Sequence, residues 1–460
     1  MSADELEQMV QWAEEFEDFH ARFTHLFTRR EPREEAGRYL RGLLASVERK
    51  NCWQMAETVG EGNPQPMQRL LYSAHWEADE ARDVLQCFVI EEFGDAEGIG
   101  VVDETGFLKK GTKSVGVKRQ YSGTAGKVEN CQVGVFLTYF NGRAYTFLDR
   151  RLYLPEEWCA DGERRQEAQV PRDVRFKTKP QLALEMLKHA WSQGVPMAWV
   201  TGDEVYGDAP DLRDGIAGAG KKYVLGVSST TPVWRERPLV DEPAKGSLGR
   251  PREKPRLADG APPAETVAAV IAALPEGAWE RLTGSEGEKG PRMYDWAAVP
   301  VVESQNRVPG RDGWLLARRS VLDPTDLAYY LCNAPQDTPL VTLAEIASAR
   351  WSIETTIEEG KGETGLDEYE VRYWHSWHRH ITLSMMAHAW LASIRQAEGE
   401  KNPRPSAGRG ERSRGPAASG SGIAAAASFS PTSLDVVTLA ASQASAGSPQ
   451  PLQTTWCGLA

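Results

Sequence analysis

The chain has 460 residues, is 41% hydrophobic and 26% charged, and carries a formal net charge of -12. This is ordinary globular composition with length for roughly two to four domains, and no stretch approaches the roughly 20 uninterrupted apolar residues of a membrane span. Six cysteines are scattered singly with no CxxC pair, which speaks against structural zinc and disulfides. The acidic, amphipathic start MSADELEQMVQWAEEFEDF lacks the pattern of a signal peptide, so a cytoplasmic protein is expected. Net acidity weighs against a nucleic-acid partner, because neutralising phosphates takes Lys and Arg. The average conceals basic stretches at residues 109–127, 235–256 and 307–319, so such a partner is not excluded.

In chain order, residues 1–97 show helical periodicity, as in EEAGRYLRGLLASVERKN and PQPMQRLLYSAHWEADEARDVLQCFVIEEF. CWQMA leads through GEGNP into a second helix near Met67 to Leu71, a spacing shared by helix-turn-helix units and ordinary helical corners. Trp53 is expected in the core, and Arg49 and Arg69 are the nearby cations expected to face DNA if the unit binds it.

From Gly98 the period becomes strand-like in IGVVDETGF, ENCQVGVFLTYF and AYTFLDRRLYL. A helix follows in PQLALEMLKHAWSQG, then the strand MAWVTGDEVYG, a short helix PDLRDGIAGAG and the strand KKYVLGVSS. The resulting order, βββαβαβ over residues 98–229, is that of a ribonuclease H-like α/β core. Residues 230–340 open with a long Pro-, Lys- and Arg-rich stretch and continue in strand-like pieces, an inserted β-rich unit with a small sheet of its own. Helices resume over 341–396, in TLAEIASARWSIETTIEEGKGETG and SWHRHITLSMMAHAWLASIRQ. Residues 397–460, rich in Ala, Ser, Gly and Pro, are expected to be disordered, and their abrupt change of character also fits an altered reading frame.

Asp103 and Asp203 share a setting: each closes an apolar strand and is followed by Glu. Singly, either is also what a turn-capping Asp looks like. Active groups in α/β sheets gather outside strand ends, so two such carboxylates can converge although far apart in sequence. Glu104, the next residue along a strand, is expected to face the other side. A third carboxylate, Glu354, shares a helical face with Arg350 and Lys361, at separations of four and seven residues. The bland reading is a surface ion-pair stripe, and Glu358, one turn on, competes for the role. His375, His378, His380 and His388, interleaved with Trp374, Trp377 and Arg379, suit packing and phosphate contact better than a transition-metal site.

VVDETGFLKKG, VTGDEVYG and RWSIETTIEEGK, in this order and with an insertion before the last, resemble the DDE transposases of bacterial insertion sequences. The resemblance is to the group whose glutamate lies in a Tyr, Arg, Glu, Lys signature. Arg350, Glu354 and Lys361 fit its spacing, and Ala347 stands at the tyrosine position. The family implies Asp103, Asp203 and Glu354 as catalytic ligands of two divalent cations, Mg2+ or Mn2+, with no covalent protein–DNA intermediate. Tyr121 and Tyr206 are then structural. It also implies double-stranded DNA as partner, namely terminal inverted repeats and target DNA, bound by a homodimer that pairs two ends. Two other outcomes stay open: a nuclease without strand transfer, and a decayed DNA-binding descendant. Arg350 and Lys361 are expected on phosphates beside the site. In the insertion, Arg250, Arg252, Lys254, Arg256, Arg318 and Arg319 are expected along the backbone, with Trp314 or Trp296 stacking on a base.

Overall fold

The computed structural model describes residues 3–123, 125–242, 254–287 and 290–401. Arg250 and Arg252, and all but the first residues of the Ala- and Ser-rich tail, lie outside that range. Five helices come first: α1 (Ala3–Ala21), α2 (Arg30–Leu44), α3 (Cys52–Thr58), α4 (Gln65–Tyr72) and α5 (Ala78–Phe93). Four strands follow, β1 (Gly98–Leu108), β2 (Lys118–Ser122), β3 (Lys127–Phe140) and β4 (Tyr145–Tyr153). Sequence periodicity gives only three of them. KRQYS is short, charged and paired only with the start of β3, so it carries no apolar alternation to read.

Next come α6 (Glu156–Ala160), α7 (Gly162–Glu167), α8 (Lys179–Ser192), β5 (Met197–Gly202), α9 (Glu204–Gly207), α10 (Pro210–Gly218) and β6 (Lys222–Val227). Helical crossovers let β5 run parallel to β1 and β6 parallel to β5, whereas β1, β3 and β4 pair antiparallel through short connections. Residues 230–340 hold β7 (Pro232–Trp234), β8 (Val240–Asp241), β9 (Arg256–Leu257), β10 (Glu265–Thr266) and α11 (Val267–Ala272). They continue with β11 (Glu280–Gly287), β12 (Gly290–Gln305), β13 (Val308–Ser320) and β14 (Leu327–Cys332).

These later strands do not close on themselves as expected. β14 pairs antiparallel with β6, so β7 and β10 to β14 extend the first sheet into one of 12 strands, and only β8 and β9 pair apart. The apolar run LAYYLC is buried by the edge that β6 offers, and a free edge of that length would be a liability.

The chain ends, within the described residues, in α12 (Leu340–Ser348), α13 (Trp351–Thr364) and α14 (Trp374–Lys401). The middle of α14 is apolar on every side, the mark of a core helix. It packs on β4, α13, α5, α4, α2 and α1, with Trp390 set edge-on to Phe16 at 5.4 Å. One hydrophobic core therefore runs from Trp12 to Ile394, and the N-terminal helices share it with the sheet.

Candidate active site

The register of the parallel pair sets the site. Val102 on β1 stands opposite Gly202, the last residue of β5, so Asp103 and Asp203 come next, side by side. Asp103 does not close its strand as expected: β1 runs on through Glu104 to Leu108, held by its pairing with β3, and only Asp203 lies just beyond a strand end. Asp203 caps α9, its Oδ1 accepting from the Val205 backbone N–H at 2.9 Å. That turn lies hard against β6: a Cβ on Gly207 would come within 1.8 Å of the Gly226 carbonyl oxygen, so only glycine fits. Asp103 accepts from the Glu104 backbone N–H at 2.7 Å.

Like charges crowd this point. Burial, then Asp203, then Glu104 push the Asp103 carboxyl up to about 7. Burial and Glu104 likewise raise Asp203. Glu104 does turn to different partners from Asp103, accepting from Lys179 Nζ at 2.6 Å and from the Tyr206 hydroxyl at 2.7 Å. Its charge nevertheless acts on both aspartates, a contribution that strand alternation does not reveal. The sequence signal is the Asp-Glu pair repeated after two apolar runs.

The third carboxylate arrives on α13, which lies along β1. Arg350, at the N-cap, reaches Glu354 Oε1 at 2.6 Å and Asp103 Oδ2 at 3.8 Å, joining the helix to the middle of β1. Lys361, in the last turn, donates to the Thr105 hydroxyl at 2.9 Å. Arg350 and Lys361 thus both reach β1 from this helix, and Glu354 is joined to the strand through Arg350. Glu354 shares Arg350 with Asp103, whereas Glu358 acts on Lys361, which separates the two competitors. The Glu354 side chain is 52% exposed, and among the described residues no three His, Cys, Asp or Glu side chains are already drawn together as a metal site. The oxygen-only donor set suits a hard cation.

Residues 22–291 match the family described as DDE superfamily endonuclease. The chain belongs to that family. The match takes in Asp103 and Asp203 and ends before Glu354. The "Probable transposase for insertion sequence element IS701" of Microchaete diplosiphon is 30% identical over 177 residues, which is 38% of this chain. The chain spans 43% of the length of that relative. Among solved structures, the cryo-EM structure of the piggyBac transposase synaptic complex with hairpin DNA aligns over 89% of this chain and 75% of that one, at 11% identity and a TM-score of 0.37.

Other positions singled out in this DDE family member divide sharply. Arg69 and Lys254 are exposed, and Arg256 forms a surface pair with Asp241. Arg319 is not free for a phosphate: it is bound to Glu276 and Asp295 and lies 4.3 Å from the Trp279 ring. Arg318 sits 4.5 Å over Tyr294. Trp296 is fully buried beside Tyr330 and cannot stack on a base, and Trp314 packs on the core.

Three expectations fail on exposure. Trp53 is 60% exposed instead of in the core, because α3 turns its Met55 and Ala56 side inward. Tyr121, expected to be structural, is 65% exposed, whereas Tyr206 is buried. Arg379 is buried with its guanidinium on the carbonyls of Leu71, Ala74 and Trp76, so it braces α14 against α4 and offers nothing to a phosphate.

The histidines go their separate ways in packing. His378 stacks on Trp374, and burial with Arg150 nearby lowers it to about 3. His380 joins the Tyr39 hydroxyl and the Gly365 carbonyl, and His388 meets Thr146 and Glu359. Ala347 is buried, with no ring to offer at that point of α12.

Proposed function

We propose that this DDE-family chain is a DNA transposase that cleaves and joins strands at the terminal inverted repeats of an insertion sequence. Asp103, Asp203 and Glu354 would be its ligands for two divalent ions, Mg2+ or Mn2+. The observation that carries this reading is the side-by-side placement of Asp103, within β1, and Asp203, just beyond the parallel β5, with Arg350 tying Glu354 to Asp103. Crowded carboxylates whose protons are held up by one another are relieved when a cation sits among them. When bound, two such ions activate the attacking oxygen and stabilise the leaving oxygen of an in-line phosphoryl displacement.

The chain's own groups do the rest. Lys179 and the Tyr206 hydroxyl hold Glu104 in place, and Gly207 lets the Asp203 turn press on β6. Arg350 keeps Glu354 beside Asp103, and Lys361 presents a cation about two turns further along the same helical face, where the phosphates of a bound duplex would lie. Arg69 and Lys254 are exposed cations at which the backbone could be followed further.

In this reading the order β4, β3, β1, β5, β6 is a ribonuclease H-like core, built from residues 98–229 and 341–396. Residues 230–340 are its insertion, residues 1–97 recognise element ends, and two copies pair the ends. The test is to incubate the full chain and Mg2+ with a labelled duplex bearing the flanking inverted repeats. Cleaved and joined products, lost in Asp103→Ala, Asp203→Ala and Glu354→Ala, are the expected result. Cleavage without joining would reduce the activity to that of a nuclease, and end binding without metal-dependent cleavage would mark a decayed descendant.

A further inference from the structure

A cavity of about 550 Å³ lies between α3, α4 and the segment 368–373 that follows α13. Its lining is aromatic. The rings of Tyr39 and Tyr369 line its buried part, and their hydroxyls are already engaged, Tyr39 with His380 at 2.8 Å and Tyr369 with Gln132 and Trp377 at 2.9 Å each. What these two residues offer an occupant is therefore ring surface. Tyr72 and Tyr373 meet edge-on at 5.5 Å, and Trp53 stands open to solvent. An indole 60% exposed beside a tyrosine 37% exposed, with an apolar cavity behind them, is surface that a solitary chain has reason to cover.

We propose that this cavity receives an unpaired nucleobase of bound DNA, stacked on Trp53; the inference rests on the DNA reading given above. Three features favour a base over other occupants. Ring faces offer stacking, and the nearby Gln68 amide and the Asn51 NH2 offer a base edge hydrogen bonds, the Asn51 Oδ1 being held by the backbone N–H groups of Trp53 and Gln54. Glu368 and Glu370 line the cavity together with Lys50 and Arg372, so its interior has no excess of positive charge to draw a phosphate in, while the exposed Arg49 and Arg69 can hold the flanking phosphates outside.

The third feature is position. The wall segment 368–373 follows directly on the helix of Glu354, and Lys109, at the end of β1, lies 3.6 Å over the Tyr369 ring. Asp103 to Lys109 is six strand residues, about 20 Å, or roughly six base steps of a duplex lying along the strand. A base taken out of the stack there would fix the register of the DNA relative to the carboxylates.

The test uses the full chain and three fluorescent 20-mers: a paired duplex, the same duplex with one bulged 2-aminopurine, and a single strand containing 2-aminopurine. The wild type is expected to bind the bulged duplex about tenfold more tightly than the paired one and to quench the 2-aminopurine. Trp53→Ala should lose both effects while its affinity for the paired duplex stays unchanged. Trp53→Phe should keep most of the preference, and Tyr72→Ala should weaken it. Trp53 is exposed, so its removal leaves the fold intact, which the melting temperature verifies. A wild type that binds duplex without preferring the bulge, or a Trp53→Ala chain that keeps the preference, overturns the proposal. Binding of dAMP as tight as that of the bulged duplex also overturns it, making the cavity a free-nucleotide site. A wild type that binds no DNA at all would instead refute the DNA reading itself.

Discussion

Midway along β1 the charges acting most strongly on Asp103 are two carboxylates, Asp203 and Glu104, and one guanidinium, Arg350. Around Asp149 on β4 they are three guanidiniums, Arg151, Arg82 and Arg150. Both aspartates are buried, and burial alone would raise both. Asp103 does go up, to about 7, whereas the arginines outweigh burial at Asp149 and hold it below the ordinary carboxylate range. The second cluster, which also takes in Asp79 and Asp83, balances its charges internally and ties α5 to β4. The first is unbalanced, a state that folding alone does not reward. On the function proposed above, the difference separates a charge cluster that holds the fold together from one that is completed from outside.

The largest expected effect is on chemistry. Asp103→Asn or Asp203→Asn should reduce metal-dependent cleavage of end DNA by about 10^4-fold, over 5 kcal/mol of barrier. The same changes remove like-charge repulsion, so stability to urea should hold or rise. A cleavage rate within tenfold of wild type would end the catalytic assignment. Asp149→Ala inverts the pattern. It strands Arg82 and Arg150, whose side chains are 4% and 0% exposed, and should cost about 3–5 kcal/mol in urea unfolding. A cost under 1 kcal/mol would show that the cluster is not a brace.

Glu35 on α2 sharpens the comparison, because a raised carboxyl is not by itself a sign of chemistry. Burial, then Glu61, push it up to about 7, and its Oε1 has no hydrogen-bond partner. Its folded-state value lies above its unfolded one. The contribution to stability is therefore full below about pH 4.5 and is lost as pH rises through about 7. Glu35→Gln should abolish that loss, so the wild type should fall behind the variant by about 2 kcal/mol between pH 4.5 and 8. A constant difference across that range would contradict the assignment. Unlike Asp103, Glu35 should leave cleavage untouched.

The smallest effect concerns Arg350 and Lys361. Each Ala variant should weaken duplex binding evenly across sequences and lower the salt slope by about one. Slopes equal to wild type would leave the two as structural ties to β1.

How much of this was legible in the chain follows the same physics. The apolar runs before Asp103 and Asp203 could be read as strands, but that β1 continues past Asp103 to Leu108 could not, because it is held there by β3, a partner remote in sequence. The helix of Arg350, Glu354 and Lys361 was legible from its period. β2 could not be read, since KRQYS opens on two cations and holds no apolar alternation. Nor could the joining of β14 to β6, because strand partners are set by edges that are remote in sequence. The exposure of Trp53 was hidden too: composition says that an indole is usually inside, and only the packing of Met55 and Ala56 turns it out. Arg319 read as a free cation because Glu276 and Asp295, which bind it, lie tens of residues earlier in the chain.

The most direct test of the unbalanced cluster is to count bound Mn2+ by electron paramagnetic resonance, on the full chain with duplex DNA present. The account predicts binding by the wild type, stoichiometric at two ions per chain, reduced in Glu354→Gln and lost in the Asp103→Asn, Asp203→Asn double variant. The same Mn2+ count in the wild type and the double variant, or none in either, would contradict it.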